Sequence, residues 1–598
     1  MMTSDIAFFP GEVHNERLDD IPVVLEILIQ MGVPGQVDRV LSPHGNWQGL
    51  SVGWVVTLWL AYILTQQDHR MNHVQEWVCS RLEALAQLSG QPLRETDFTD
   101  DRLAEVLGYL SQDAVWQVVE AGLSQHSIRV YHLAVDTVRL DATVGQTYHD
   151  PEQHTLFKAG RTKTGDYDTQ FKLMLGALDP MGMPLAVDVV SGNHSDDPLY
   201  VPVYQRIHQM LDQGGLLYVG DAKMGALETR ATIQAGDDLY LMPLAMVGDT
   251  PGLLDQQLDR LEAGAFTGAP IFLPEDIPED PTPTPDPSLA VAQGFETALE
   301  RTAIVDGKPL TWTERLLCIQ SFSYVEAQVK AFDRRLQRAQ EALEALTPPM
   351  GRGRKQFHEA PSLQGGVENI LRKYKVSDFL TVTLERQEIH HSIRAYGDRP
   401  ARTEVKVRYQ IHITSNTEAI ARARRRLGWR LYATNASVRR LALSQAVLTY
   451  RDQYLVERDF ARLQGRPLGI TPLYVQRDDH ALGLMRLLTV ALRALVMVEF
   501  IARRCLEAED ASLSGIYAGN PKRATHRPTA EQLLAAFGGI TCTTIQSPDG
   551  SLIRHVTPLT SVQETILALL GISPALYTQL AFPIQATVCS TPAVECAA

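Results

Sequence analysis

Between residues 129 and 244 strand-like and helix-like segments follow one another in an order that few folds accept. The stretch RVYHLAVDTVRLDAT (129–143) alternates and is rich in β-branched residues, which predicts a strand. FKLMLGALD (171–179) and PLAVDVVSG (184–192) flank the turn PMGM and predict a hairpin. A helix from about Pro198 to Asp212 follows, then a short buried strand LLYVGD (216–221), a second helix and the strand LYLMPL (239–244). Three antiparallel strands, a helix, a strand, a helix and a strand is the order that any fold of this segment must satisfy.

The flanking sequence is different in kind. Residues 20–125 carry apolar positions at helical spacing, as in DDRLAEVLGYLSQDAVWQVVEAGL, and predict an all-helical N-terminal domain. Residues 270–287 hold seven prolines and five acids and no base, the composition of an extended, mobile linker. SFSYVEAQVKAFDRRLQRAQEALEAL (321–346) predicts a long amphipathic helix that Pro348 and Pro349 end. FLTVTLERQEIHHSIR and RTEVKVRYQIHIT predict two strands, helices return from Thr417 to about Leu506, and 525–580 mixes helix and strand before a disordered tail. A chain of 598 residues is too long for one core. The divisions read from sequence are a helical domain at 1–126, a first core part at 127–250, an insertion at 251–415, a second core part at 416–510, and a small C-terminal piece at 511–598.

Six cysteines are scattered with no CxxC pair, which excludes a disulfide framework or zinc module and fits a reducing, cytoplasmic setting. Asp5, Glu12 and Glu16 stand where a signal peptide would need positive charge. The apolar runs Ser51–Thr65 and Leu487–Phe500 are shorter than the ~20 residues that span a bilayer, and the second contains Arg493; both read as buried helices, with no membrane partner. The net charge is −15, yet residues 401–470 hold fourteen Lys and Arg against five acids. Phosphate binding needs local rather than global positive charge, so a polyanionic partner stays open beside the plainer reading of a solvated face.

The candidate chemistry lies in carboxylates. Asp136 falls inside the predicted strand, where a carboxylate needs a partner, a metal or a proton. Asp221 ends the strand LLYVGD, and strand ends present side chains to a crevice. Glu457 lies in LTYRDQYLVERDFARLQ, where Tyr450, Gln453, Glu457 and Gln464 fall on one helical face and Arg451, Arg458 and Arg462 form a basic stripe beside it. Each is unremarkable alone: a turn residue, a cap, a solvated glutamate. Asp141, five residues beyond Asp136 and on the opposite strand face, is the alternative first carboxylate. Ser195 or Asp196 in GNHSDD predicts a helix cap. Lys158, Arg161 and Lys163 form a basic loop that either touches DNA or is solvated. His390 and His391 face opposite sides of a strand and do not suit a metal; no P-loop or nucleophile elbow occurs.

Taken together, a strand aspartate, a strand-end aspartate and a later helix glutamate on an RNase H-like order of elements match the DDE pattern. The gap from Asp221 to Glu457 exceeds what a bare core of that kind needs, which predicts an inserted domain. The chain resembles bacterial insertion-sequence transposases of the DDE class, in the branch whose core is split by a mostly β insertion. The stretches that carry the resemblance are DTVRLDA, KAGRTKTGDYDTQFKLMLGALDPMGMPLAVDVVSGNHSD, YVGDAKMGALETRATI and YRDQYLVERDFARLQGRPLGITPLYVQRDDHALGLMRLL, in order from about 129 to 500. It implies an α/β multidomain fold, with an RNase H-like core, a large insertion and an all-helical N-terminal domain for end binding or dimerisation. It also implies metal-dependent cleavage at transposon ends and transfer of the 3′-OH into target DNA.

The ligands it implies are Asp136, Asp221 and Glu457, holding two Mg²⁺ ions with Mn²⁺ as the alternative. Carboxylate oxygens suit such hard cations, and two ions can activate water or a 3′-OH and stabilise the leaving oxygen. The implied partners are terminal inverted repeats, target DNA and a second copy of the chain, acting at the bacterial nucleoid. One departure stands out. The branch often shows an Arg three residues after the Tyr and a Lys seven after the Glu, where this chain has Gln453 and Gln464. Arg458 and Arg462 are then the candidates to supply charge, with Tyr450 and Arg451 as further DNA contacts. The alternatives are an RNase H-like nuclease or resolvase that cleaves without joining, and a domesticated DNA-binding protein without catalysis.

Overall fold

The computed structural model describes residues 12–41, 45–162, 165–277, 285–349, 357–395, 397, 400–547 and 551–582. The middle of the Pro-rich segment (278–284) and the tail from 583 lie outside them, and with them the expected linker centre and disordered end. The protein is mixed α/β with several sheets. It forms two compact units: the first takes 1–241, 302–310 and 450–598, the second 242–301 and 311–449. Residues 416–449, expected with the second core part, therefore fall in the second unit.

The first described element is a strand that lies ahead of the helical run read at 20–125 and was not expected. β1 (Glu12–Arg17) pairs antiparallel with Thr541–Gln546, from Glu12 opposite Gln546 to Arg17 opposite Thr541. Helices Ile21–Gln30, Val33–Val40, Val52–Gln66, Asp100–Leu110 and Asp113–Val130 follow. All but Val33–Val40, which packs on Val52–Gln66, meet the helix Asp478–Ala508, whose length and apolarity would let it cross a membrane but whose apolar window is 94% buried inside the protein. Two arginines inside it bond to neighbouring helices. Arg486 donates to the Leu110 carbonyl at 2.9 Å and to Asp113, and Arg493 donates to Ser124 Oγ at 3.1 Å. Burial pushes Arg493 down to about 10, against the pull of Glu120, and pushes Glu120 itself up to about 7.

β2 (Thr137–Gln146), β3 (Lys158–Arg161), β4 (Tyr167–Leu178), β5 (Met183–Ser191), β6 (Leu217–Gly220) and β7 (Leu239–Pro243) build the sheet of this unit. β4 lies antiparallel to β2 and carries β3 and β5 on its other edge. β6 lies parallel to β2, with Thr137 opposite Leu217 and Leu140 opposite Gly220, and β7 lies parallel to β6. The order is thus β5–β4–β2–β6–β7. The strand expected at 129–143 begins later and runs further. The preceding helix continues to Val130 and closes through Leu133 N on the Ile128 carbonyl, and His132 turns the chain at φ +50°. Asp136 consequently stands before the strand, not within it.

In the second unit β8 (Ala269–Ile271), β9 (Ala292–Val305), β10 (Lys308–Ser321) and Trp429–Thr434 adjoin in the order 8–9–10 and then the last. Leu254, Leu258, Phe295, Leu316, Cys318, Trp429 and Leu431 form their core. The helix Phe322–Glu344, predicted almost to the residue, packs with helix Ala360–Tyr374 on the hairpin of β11 (Leu380–Ile393) and β12 (Arg402–Ser415). β13 (Trp429–Thr434) closes the unit. The positive run 424–426 does not stand free here: Arg424 pairs with Asp333, Arg425 with Asp259 and Glu262, and Arg426 with Asp255. Back in the first unit, β14 (Leu513–Ser514) and β15 (Ala524–Thr525) form a minimal pair. β16 (Thr541–Gln546) and β17 (Leu552–Val556) complete the sheet that β1 begins.

One glycine sets a helix crossing. A Cβ on Gly483 would stand 2.2 Å from the Leu107 carbonyl oxygen, a backbone atom that cannot swing away. Gly483→Ala is expected to lower stability by about 1–3 kcal/mol, more than the gain in helix propensity returns. Urea denaturation followed by tryptophan fluorescence reads this as a lower midpoint.

Candidate active site

The parallel register of β2 on β6 decides the site. Leu140 lies opposite Gly220, so Asp141, within β2, stands level with Asp221, where the chain leaves β6. Gly220 is needed there: a Cβ would meet Met224 Sδ at 2.5 Å and the Leu140 carbonyl oxygen at 3.2 Å. Asp221 Oδ1 accepts from Tyr200 Oη at 2.6 Å and from the Lys223 amide at 2.9 Å, which fixes the carboxylate over the turn that follows the strand. Asp141 Oδ1 accepts from the Ala142 amide at 2.8 Å.

Glu457 comes from the first turn of the helix Tyr454–Gln464, a position where an acid also suits the helix dipole. Two sets of contacts place this helix. Gln464 Nε2 donates to Thr143 Oγ1 at 2.9 Å and to the Val144 carbonyl at 3.0 Å, clasping the helix end to β2. On the inner face Arg458 and Arg462 both bind Glu499, with Arg458 at 2.6 Å, and Arg462 also binds Glu531 at 2.8 Å. Asp459, between them, is held well above the usual carboxylate range by burial.

The charges of Asp221 and Glu457 both act on Asp141. Burial raises the Asp141 carboxyl to about 6, against the Ala142 amide that lowers it; the charges of Asp221 and Glu457 raise it further and Lys223 opposes them. Burial, together with Asp221 and Asp141, likewise holds the Tyr200 hydroxyl far above its ordinary value, so it stays a donor. Among the described residues no three His, Cys, Asp or Glu side chains already stand at metal-ligand spacing. Three mutually repelling carboxylates with only hard oxygen donors nonetheless suit a divalent cation better than any other small partner.

Asp136 is not part of this group. It lies just before β2, five residues or roughly 16 Å from Asp141 along the chain, level with the residue before β6. It is exposed, its backbone carbonyl accepts from Leu217 N at 2.9 Å, and its charge acts on Asp179. Asp179 in turn receives two 2.7 Å bonds from buried Arg139. The first carboxylate that the structure brings to Asp221 and Glu457 is therefore the alternative, Asp141.

The basic candidates also divide. Arg462 is buried between Glu499 and Glu531, and Arg458, 27% exposed, is bound by Glu499, so both are engaged by acids of the protein. Arg451 is exposed, but it ends the helix Leu443–Arg451; the chain breaks at Asp452 and Gln453, so Tyr450 and Glu457 do not share one continuous helix face. Lys158, on β3, donates to the Pro151 carbonyl at 2.8 Å; Arg161 is exposed at the end of that strand; Lys163 lies outside the described residues. Asp196 makes no capping bond and instead binds both Lys172 and Lys223. Tyr200, Lys172 and Lys223 were missed from sequence. A lysine inside the apolar run FKLMLGAL was the signal for one of them, and the position two past Asp221 for another.

No protein-family model matches the sequence, and no curated protein matches it. Among solved structures, the cryo-EM structure of the piggyBac transposase synaptic complex with hairpin DNA aligns over 95% of this chain and 86% of its own, at 8% identity and a TM-score of 0.33. A likeness that low carries no argument about this chain.

Asp141 yields a prediction by linkage. Its folded pKa lies above the unfolded value, so between about pH 4 and 6 the folded state binds more protons and stability falls as pH rises. Above that window the whole penalty persists, roughly 2–3 kcal/mol for a shift of this size in a partly open site. In EDTA, Asp141→Asn is expected to melt higher than the wild type at pH 7.5. The gap should close near pH 4, as read by calorimetry at both pH values.

Proposed function

We propose that this chain is a metal-dependent DNA strand transferase of the DDE type, with Asp141, Asp221 and Glu457 as its carboxylates. The observation that carries the reading is that Asp221 and Glu457 both act on Asp141: Asp141 lies within β2, level with Asp221 at the end of the parallel strand β6, and Glu457 comes from a helix far along the chain. The strand order β5–β4–β2–β6–β7, three antiparallel strands followed by two parallel to the central one, is that of an RNase H-like core and supports it. So does the resemblance of the stretches around these residues to insertion-sequence transposases.

Divalent cations bound by the three carboxylates would activate the attacking oxygen and stabilise the leaving one. The chain's own part is to hold the ligands. Tyr200 and the Lys223 amide fix Asp221, the Ala142 amide fixes Asp141, and Gln464 together with the Glu499 arginines sets the height of Glu457. Gln464 clasps β2, so in this reading it positions the glutamate helix and does not contact phosphate. Two copies of the chain pairing two DNA ends would complete the reaction unit that the resemblance implies.

The test is strand cleavage and joining on DNA carrying the inverted repeats that flank the gene, in Mg²⁺. Asp141→Asn, Asp221→Asn and Glu457→Gln are each expected to lower cleavage by at least about 10³-fold, the loss of several kcal/mol of metal-borne stabilisation. Asp136→Asn should keep activity within a few-fold. Equal loss in Asp136→Asn, or activity retained without Glu457, sinks the assignment. Cleavage without joining of pre-cleaved ends would mean a nuclease.

A further inference from the structure

We propose that Lys172 and Lys223, gathered by Asp196, form a phosphate-binding site beside the carboxylate cluster, and that Asp196 holds the place of the phosphate until DNA arrives. The inference rests on the reading that this chain acts on DNA.

Asp196 binds one ammonium through each oxygen: Lys172 at Oδ1 and Lys223 at Oδ2. Fastening the 192–199 loop to β4 requires only one of these pairs. The second leaves the trio with a net positive charge next to a negatively charged site. Lys172 projects from the middle of a buried strand, where its side chain is 11% exposed and burial lowers its pKa. An ammonium in that place costs free energy unless it is matched by an anion. Lys223, paired with the other Asp196 oxygen, is 49% exposed, so an incoming ligand reaches it. Its backbone amide is bonded to Asp221 Oδ1 and its charge acts on Asp141, which fixes its base to the carboxylates themselves.

Two ammonium groups on two oxygens of one anion is also the arrangement that the non-bridging oxygens of a phosphodiester would complete. A DNA strand crossing the carboxylates carries such a phosphate one step from the reacting one. Exchange of Asp196 for phosphate would keep both lysines paired and return the Asp196 carboxylate to solvent. The other basic residues near the site do not compete for this role: Arg458 and Arg462 are engaged inside the protein by Glu499 and Glu531.

The experiment is binding of a double-stranded oligonucleotide to the full chain in EDTA, read by fluorescence anisotropy between about 50 and 200 mM KCl. Each lysine that meets a phosphate contributes about 0.9 to the slope of log affinity against log salt. Lys223→Gln and Lys172→Gln are each expected to reduce the slope by about that amount. Asp196→Asn, which keeps both lysines and removes their competitor, should bind more tightly with no loss of slope. Lys330→Gln, in the second unit and paired with Glu326, serves as the control and keeps the wild-type slope. Slopes unchanged in Lys223→Gln overturn the inference, and this exposed position decides the matter if Lys172→Gln does not fold. Wild-type cleavage in Mg²⁺ with lysine-independent slopes sinks the phosphate site alone. Lysine-dependent slopes without cleavage sink the catalytic reading alone. A wild type that binds no DNA sinks both.

Discussion

The pairing of β2 with β6 in parallel brings two carboxylates together before any other part of the molecule is considered. β6 stops at Gly220 while β2 runs on to Gln146, so Leu140 opposite Gly220 leaves Asp141 level with Asp221 at the end of the shorter strand. That proximity is unfavourable, and the surroundings answer it. Tyr200 donates to one carboxylate, the Ala142 amide to the other, and Lys223 lies against both. What remains is a site that carries excess negative charge at neutral pH, whose ordinary remedy is a cation.

The third carboxylate depends on a charge cluster built around a buried glutamate. Glu499, 2% exposed in the middle of the long helix, binds Arg458, Arg462 and Arg503. Leaving any one of these charges unpaired would be strongly destabilising, and a buried cluster of this kind is better at specifying one arrangement than at adding stability. Here the specified arrangement is the rotation of the helix Tyr454–Gln464. With Arg458 and Arg462 turned inward, Glu457 is turned toward β2. Part of the positive charge in 401–470 is thus matched by acids: Arg458 and Arg462 set this helix, and the 424–426 run pairs with acids of the helix Thr250–Glu262 and with Asp333, while Arg402, Lys406, Arg422, Arg439, Arg451 and Arg466 are exposed.

Much of this was legible from residue order alone. The hairpin of β4 and β5, the short strand before Asp221, the helix from Phe322 and the β11–β12 pair all follow from periodicity and turn chemistry, which are local. The errors arose where a boundary, not an element, carried the conclusion. RVYHLAVDT looks like a strand, but its first residues finish a helix, and a shift of the strand start moved the expected ligand from Asp141 to Asp136. Strand phase cannot repair this, because it says which face a residue takes and not which end of the sheet it reaches. The inward turn of Arg458 was illegible for a different reason: Glu499 and Glu531 lie far along the chain, and no spacing rule connects them. The β9–β10 hairpin was overlooked despite its signal, Asp306-Gly307, both at positive φ as a tight two-residue turn requires.

The sheet that β1 shares with β16 has a consequence for how the protein comes into being. β1 is made early, and the strand it pairs with follows more than five hundred residues later. At synthesis rates of about 5–20 residues per second, its edge waits on the order of half a minute to two minutes for a partner. The whole of the second unit is made within that interval. An open strand edge is a template for other strands, so this stretch of time is when the nascent chain is most exposed to pairing with the wrong neighbour. Its sequence, EVHNER, carries three charges in six residues and few apolar groups. That composition protects an edge while it is idle, which makes the poverty of β1 as a strand former, the reason it was hard to read, part of what keeps the growing chain soluble.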